Sequence, residues 1–142
     1  MMIARTLVAA GLMIVSVVVA AHFILSPFYQ DTMDIDRMWF VLNWFMAVAS
    51  VIALVVNYHR YKATGAQSGE GEVDRQYLKV NAALIASLGL VIWFFWNWFD
   101  DLTAASGSQS DTRLIMWAFI DPLFVLVTGA TGLHVWRFGR TQ

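Results

Sequence analysis

The stretch TLVAAGLMIVSVVVAAHFIL, residues 6–25, decides the fold class of this chain. It contains no Asp, Glu, Lys or Arg. A helix of about 20 apolar residues is long enough to cross the roughly 30 Å hydrocarbon core of a bilayer. A basic residue followed by an apolar run also opens a signal peptide, but this run continues through His22 to Leu25, beyond a typical signal-peptide core. We therefore predict a retained transmembrane helix.

Three more apolar runs follow, at about 38–58, 77–99 and 114–136. Only 13% of the 142 residues are charged and 59% are hydrophobic, whereas about a quarter of an average soluble domain is charged. The sequence predicts an all-α integral membrane protein, a four-helix bundle built from two transmembrane hairpins, residues 1–62 and 77–142. Residues 63–76 (ATGAQSGEGEVDRQ) between them are small, polar and rich in glycine, which is typical of a flexible linker.

The basic residues predict how the chain is oriented in the membrane. Two of the nine Lys and Arg residues, Arg37 and Arg113, lie in the first and third loops. The other seven flank the N-terminus, the middle segment and the C-terminus: Arg5, Arg60, Lys62, Arg75, Lys79, Arg137 and Arg140. Because cytoplasmic segments are enriched in Lys and Arg, we predict a multi-pass protein of the plasma (inner) membrane, with both termini and residues 63–76 on the cytoplasmic side.

Composition excludes several classes of function. The chain has no cysteine, which excludes disulfides, thiolate metal sites and cysteine nucleophiles. Its net charge of −1 argues against a nucleic-acid partner. It has no glycine-rich phosphate loop and no standard hydrolase signature. We therefore predict no catalytic activity of its own and no bound cofactor, with other integral membrane subunits and lipids as its partners.

Asp121 is the one charged side chain that lies well inside a predicted span. Counting from the helix ends, it forms a ring of polar groups with His22, Asn43 and Asn97, one on each helix, in the outer half of the bilayer. One interpretation is structural, an interhelical hydrogen-bonded cluster worth about 0.6 kcal/mol per bond. The functional alternatives are a step that handles a proton or cation, or a metal site shared with a partner subunit.

Local signals mark two helix starts and one position where a helix can kink. Asp31 and Asp111 are placed as N-caps of the second and fourth helices. Pro122 lacks an N–H and leaves the carbonyl of Ala118, one turn earlier, without its helical donor. A possible internal repeat aligns Met38-Trp39 with Met116-Trp117, and Asn43 with Asp121, at one constant offset; chance similarity is the alternative explanation.

Small residues predict where the helices approach most closely. Thr128, Gly129 and Gly132 lie together in the fourth run, and Ser16 and Ala20 repeat the small-xxx-small spacing in the first. Such residues let helix backbones come together in lipid, where no hydrophobic effect drives association. We predict that the fourth helix is the most closely packed.

His59 and His134 fall near the cytoplasmic ends of their helices. Two histidines on neighbouring transmembrane helices are an arrangement that can ligate a haem. The alternative is an ordinary polar residue at the membrane boundary. We therefore predict no cofactor. The alternative is a haem or metal that is shared with a partner subunit.

Three hypotheses for the function follow from these features. The leading one is an accessory or structural subunit of a larger membrane complex of the oxidase, monooxygenase or transporter type, because the chain has little extramembrane mass and more aromatic residues than anchoring requires. The second is a small proton- or ion-coupled carrier that acts through Asp121. The third is an electron-transfer anchor using His59 and His134. The first expects Asp121→Asn to be nearly silent and Asp121→Leu disruptive, whereas the second expects Asp121→Asn to abolish activity without unfolding the protein.

Overall fold

Four helices make up almost all of the described chain. The computed structural model describes residues 2–29, 31–65, 75–103 and 111–139. Helix α1 is Met2–Tyr29, α2 is Ile35–Gly65, α3 is Arg75–Thr103 and α4 is Asp111–Gly139. Each contains a segment long and apolar enough to cross a membrane. The prediction of an all-α, multi-pass membrane architecture is confirmed at this level.

The helices extend beyond the apolar runs that predicted them. Helix α2 continues to Gly65 rather than ending near residue 58, and α3 begins at Arg75. Both ends of the predicted linker, residues 63–65 and 75–76, are therefore helical, and residues 66–74 lie outside the described chain. The physical reason is that backbone hydrogen bonds continue into polar turns beyond the apolar run. The end of an apolar run is therefore not the end of the helix.

The connection between α1 and α2 corrects one predicted cap. Helix α1 passes through Pro27 in its last turn, and the hydroxyl of Ser26 donates at 3.4 Å to the carbonyl of Phe23, which Pro27 leaves without its usual donor. The N-cap of α2 is Asp34, whose Oδ1 accepts a hydrogen bond from the backbone N–H of Arg37 at 3.0 Å. Asp31 lies in the preceding turn, because the cap must directly precede the first helical residue.

The helices pack unevenly around one core. The most extensive contacts join α1 with α4 and α2 with α3, and the sequential pairs α1–α2 and α3–α4 share smaller contacts. Helices α2 and α4 each touch all three others, and α1 and α3 do not meet within the described residues. The larger fully buried apolar side chains are those of Val19, Met46, Leu90, Phe94, Ile120 and Phe124.

The two ends of the bundle differ in charge. Where α1 and α3 finish and α2 and α4 begin, the described acidic residues are Asp31, Asp34, Asp36, Asp100 and Asp101; we name this the acidic end. At the opposite end, the basic end, the described basic residues are Arg5, Arg60, Lys62, Arg75, Lys79 and Arg137. Each end of the bundle contains a region of buried polar side chains.

Candidate functional site

The contact between α1 and α4 depends on two glycines. A Cβ atom added to Gly132 would lie 2.9 Å from Cγ of Met13 and 3.1 Å from the carbonyl oxygen of Ala9. A Cβ added to Gly129 would lie 3.0 Å from the hydroxyl of Ser16. Both contacts are tighter than side chains normally make, so the missing side chains let α1 approach. Thr128, the third predicted packing residue, is fully buried. Its hydroxyl donates a hydrogen bond to the carbonyl of Phe124 at 2.6 Å.

The four polar residues predicted to form a ring are all buried, but they do not share one site. Asn43 and Asp121 line the same pocket at the acidic end. His22 lines a pocket between α1 and the start of α2, and Asn97 lines one between α3 and α4. In the described part of the chain, no hydrogen bond joins any two of the four.

His22 makes its contacts within α1 and with α2. Its Nδ1 shares a hydrogen bond with the hydroxyl of Tyr29, about two turns further along α1. Its ring lies edge-on to Trp39, with the centroids 4.5 Å apart. Its Nε2 is buried without a hydrogen-bond partner. His22 is therefore adjacent to the Asn43–Asp121 pocket through Trp39 and does not line it.

The pocket that contains Asn43 and Asp121 is lined by residues from all four helices, and we name it the acidic-end pocket. It encloses about 480 Å³. Two classes of side chain dominate its wall. The aromatic ones are Phe23, Trp39, Phe40, Trp98 and Trp117, and the carboxylates are Asp36, Asp101 and Asp121. No Lys, Arg or His is among its described lining residues.

Contacts around the pocket hold its tryptophans in place. The indole N–H of Trp117 donates to Oδ2 of Asp101 at 2.8 Å. The buried ring of Phe94 lies 5.6 Å from Trp98 and 5.7 Å from Trp117, measured between centroids. Trp44 packs edge-on to Trp98 at 4.8 Å. These separations fall in the range of favourable aromatic pairs, so the wall of the pocket is organised without a ligand.

Asp121 is 3% exposed and lies about 15 Å along α4 from its first residue, at 1.5 Å per residue. One oxygen of its carboxyl group is buried without a hydrogen-bond partner, and so is the side-chain oxygen of Asn43. Ala118, whose carbonyl lacks its usual helical donor because residue 122 is proline, lines the same pocket. These three groups are hydrogen-bond acceptors. The site therefore suits a proton or a cation.

At the basic end, His59 and His134 line one cavity of about 400 Å³ between α1, α2 and α4, together with Arg5 and Arg60. His59 is exposed and His134 is half-buried. The structure thus brings together the two histidines that the haem hypothesis requires. Within the described residues, no group of three or more His, Cys, Asp or Glu side chains is placed to hold a metal ion.

A second buried polar region was not predicted, and we name it the Asn57 network. The amide nitrogen of Asn57 donates to the hydroxyls of Ser87 at 2.8 Å and Thr131 at 2.9 Å. Its oxygen accepts a hydrogen bond from Nη1 of Arg60 at 2.8 Å. The two hydroxyls donate in turn to the carbonyls one turn earlier in α3 and α4. The amide of Asn57 and the hydroxyls of Ser87 and Thr131, which join α2 to α3 and α4, are all paired.

A signal in the sequence could have revealed this network. Asn57 lies one residue before the end of the second apolar run. A polar side chain at that position is typical of the membrane boundary. Thr131 lies eight residues from the basic end of α4, as Asn57 does from that of α2, whereas Ser87 lies twelve residues from that of α3. Matching polar residues by depth would therefore have paired Asn57 with Thr131, and only the structure adds Ser87.

Comparison of the chain with protein-family profiles, curated proteins and solved structures gives no match.

Proposed function

We propose that this chain is a small membrane carrier that exchanges protons for a cation at Asp121, inside the acidic-end pocket. The observation that supports the proposal is a carboxyl group that is 97% buried, has an unpartnered oxygen and lines an aromatic pocket. The structural alternative needs Asp121 to be hydrogen-bonded to its neighbours, and the described residues provide no such bond.

The electrostatics of the pocket favour a positively charged ligand. An isolated buried carboxylate is very costly, so Asp121 is neutralised by a proton or by a bound cation. Trp39, Trp98 and Trp117 line the same pocket, and a cation that lies over an aromatic ring gains about 0.5–2 kcal/mol. The pocket volume of about 480 Å³ lies within the range of small-molecule sites. An organic ammonium or phosphonium cation fits both the charge and the wall.

The proposed coupling follows from a single carboxyl group. Asp121 holds a proton when the pocket is empty and releases it when the cation takes over the neutralising role. Asn43 and the free carbonyl of Ala118 supply further acceptors beside it. Proton and cation then compete for one site, which is sufficient to link the movement of one to the gradient of the other.

The test uses the purified protein in liposomes that contain a pH-sensitive dye, with tetraphenylphosphonium as the cation. We expect the cation to release protons from the wild-type protein and to quench its tryptophan fluorescence. Asp121→Asn should abolish proton release while the protein stays folded. Asp31→Asn, an exposed acidic residue at the same end, is the matched control and should behave as wild type. Equal proton release from wild type and Asp121→Asn would contradict the proposal.

The orientation of this carrier is a second part of the proposal. We propose that both termini are cytoplasmic, so the acidic-end pocket faces the opposite side. The distribution of Lys and Arg supports this orientation. A cysteine placed at position 107 should react with an impermeant maleimide in intact cells, and a tag after Gln142 should be protected from added protease. The reverse pattern would place the pocket on the cytoplasmic side.

One face of α3 favours the accessory-subunit function as a second candidate. Trp93, Trp96 and Phe99 recur every three residues and are exposed, Trp96 by 79%. Aromatic residues are enriched in protein interfaces. If the face binds another membrane subunit, Trp96→Ala should remove that subunit from the complex purified in mild detergent. Ile14→Ala, an exposed position on α1, should not. If both variants retained the same subunit, this face would contact lipid and no other subunit.

A further inference from the structure

A groove opens along α3 and α4 at the basic end, and we name it the basic groove. It encloses about 650 Å³. Its lining runs along α4 from Leu123 to Arg137, which is about 21 Å at 1.5 Å per residue. Half of a bilayer with its headgroup layer is about 20–22 Å thick. The groove therefore has the depth of one lipid leaflet.

The lining of the groove changes from apolar to basic along its length. Alanines and leucines line the part nearer the middle of the bundle, among them Ala86, Leu123 and Leu126. Three cationic side chains, one from each of three helices, line the other part: Arg60, Lys79 and Arg137. No Asp or Glu is among the described lining residues. The groove therefore presents concentrated positive charge next to a hydrocarbon-like surface.

The guanidinium of Arg60 is held in position before any ligand arrives. Its Nη1 donates to Asn57, which the hydroxyls of Ser87 and Thr131 hold from the other side. Its Nε is buried and has no hydrogen-bond partner. An arginine whose fork is oriented in this way is suited to phosphate oxygens, because less side-chain freedom is lost when they bind.

We infer that the basic groove binds one anionic phospholipid. Arg60, Lys79 and Arg137 contact its phosphate and anionic headgroup, and one acyl chain lies against the alanines and leucines of α3 and α4. Charge complementarity selects an anion, and the apolar part selects an anion that carries a hydrocarbon chain. Basic pockets between transmembrane helices are a known mode of anionic lipid recognition. This site is separate from Asp121, and neither proposal depends on the other.

The test is native mass spectrometry of the full chain, released from micelles that contain equal amounts of phosphatidylglycerol and phosphatidylcholine. We expect one phosphatidylglycerol per chain to be retained in preference to phosphatidylcholine. Each lost charge should weaken retention about fivefold, since a basic residue near the lipid surface contributes about 1 kcal/mol. Lys79→Gln and Arg137→Gln leave the Asn57 network intact, so they test the charge without disturbing the fold. Arg75→Gln, one turn earlier in α3 and outside the groove, is the matched control and should change retention less than twofold.

A second arm tests the apolar part of the groove. Ala130 lines the groove and is exposed, so Ala130→Leu can fill the groove without disturbing the core. We expect this variant to lose phosphatidylglycerol although its charges are intact. Three results would overturn the inference. They are equal retention of the two lipids by wild type, displacement of phosphatidylglycerol by inorganic phosphate at equal concentration, and unchanged retention in the Lys79→Gln, Arg137→Gln double variant.

Discussion

The two buried polar regions of this bundle differ in how many of their polar atoms have hydrogen-bond partners. In the Asn57 network at the basic end, the amide donates twice and accepts once, and both hydroxyls it binds are themselves paired. In the acidic-end pocket, Asn43 and Asp121 are also buried, yet each has an oxygen without a partner. Each region contains a buried asparagine, so the presence of that residue does not distinguish them.

The difference separates a structural role from a binding role. A buried polar group without a partner costs about 1–3 kcal/mol. The amide of Asn57 and the two hydroxyls that it binds are paired, whereas the acidic-end pocket keeps free acceptors on Asn43 and Asp121. We therefore assign the Asn57 network to holding α2, α3 and α4 together and to orienting Arg60, and the acidic-end pocket to a ligand.

The largest expected effect concerns the close contact between α1 and α4. Gly132→Leu should destabilise the protein by about 3 kcal/mol, the upper part of the range for overpacking, because its Cβ would meet the backbone carbonyl of Ala9. Gly11→Leu is the matched control, since a Cβ at Gly11 meets nothing within 4 Å, and it should be nearly neutral. Thermal unfolding in detergent measures both. Similar midpoints for the two variants would show that α1 can shift without cost.

The next effect compares the two asparagines directly. Asn57→Leu removes three hydrogen bonds and should cost about 2 kcal/mol, at roughly 0.6 kcal/mol per bond within a membrane. Asn43→Leu removes none that the described residues make, and should cost less than half as much. Chemical unfolding in mixed micelles gives both free energies. A larger loss for Asn43→Leu would reverse the contrast between the regions.

The smallest expected effect on stability is that of Asp121→Asn, and the reverse exchange at Asn57 provides its comparison. Asp121→Asn should change the free energy of unfolding by less than about 0.5 kcal/mol, as for substitutions that break no specific contact, while binding at the pocket is lost. Asn57→Asp keeps the shape of the side chain but removes the donor that both hydroxyls need, and should be clearly destabilising. Thermal midpoints of the two variants provide the comparison. If Asp121→Asn were the more destabilising exchange, Asp121 would belong to a structural network.

The sequence predicted part of the candidate site. Asp121 stood out because a charged residue inside a span is rare, and Asn43 because it occupies the matching place in the second helix. The structure puts these two in one pocket, whereas His22 and Asn97 face other surfaces. Trp39, Trp98 and Trp117 line this pocket as well, and the sequence alone did not group them with Asp121.

The sequence by itself determined the number of helices, their order and their fitness to span a membrane, because length and apolarity are properties of each helix alone. It also determined that polar groups lie buried within the spans. The tertiary structure decided which of them meet. Whether two residues at the same depth touch depends on how each helix is rotated about its axis and which neighbour it packs against, and these are set by the fit of all four surfaces. Asn57 thus reaches Ser87 and Thr131, while Asp121, at a comparable depth from the other end, faces an open pocket.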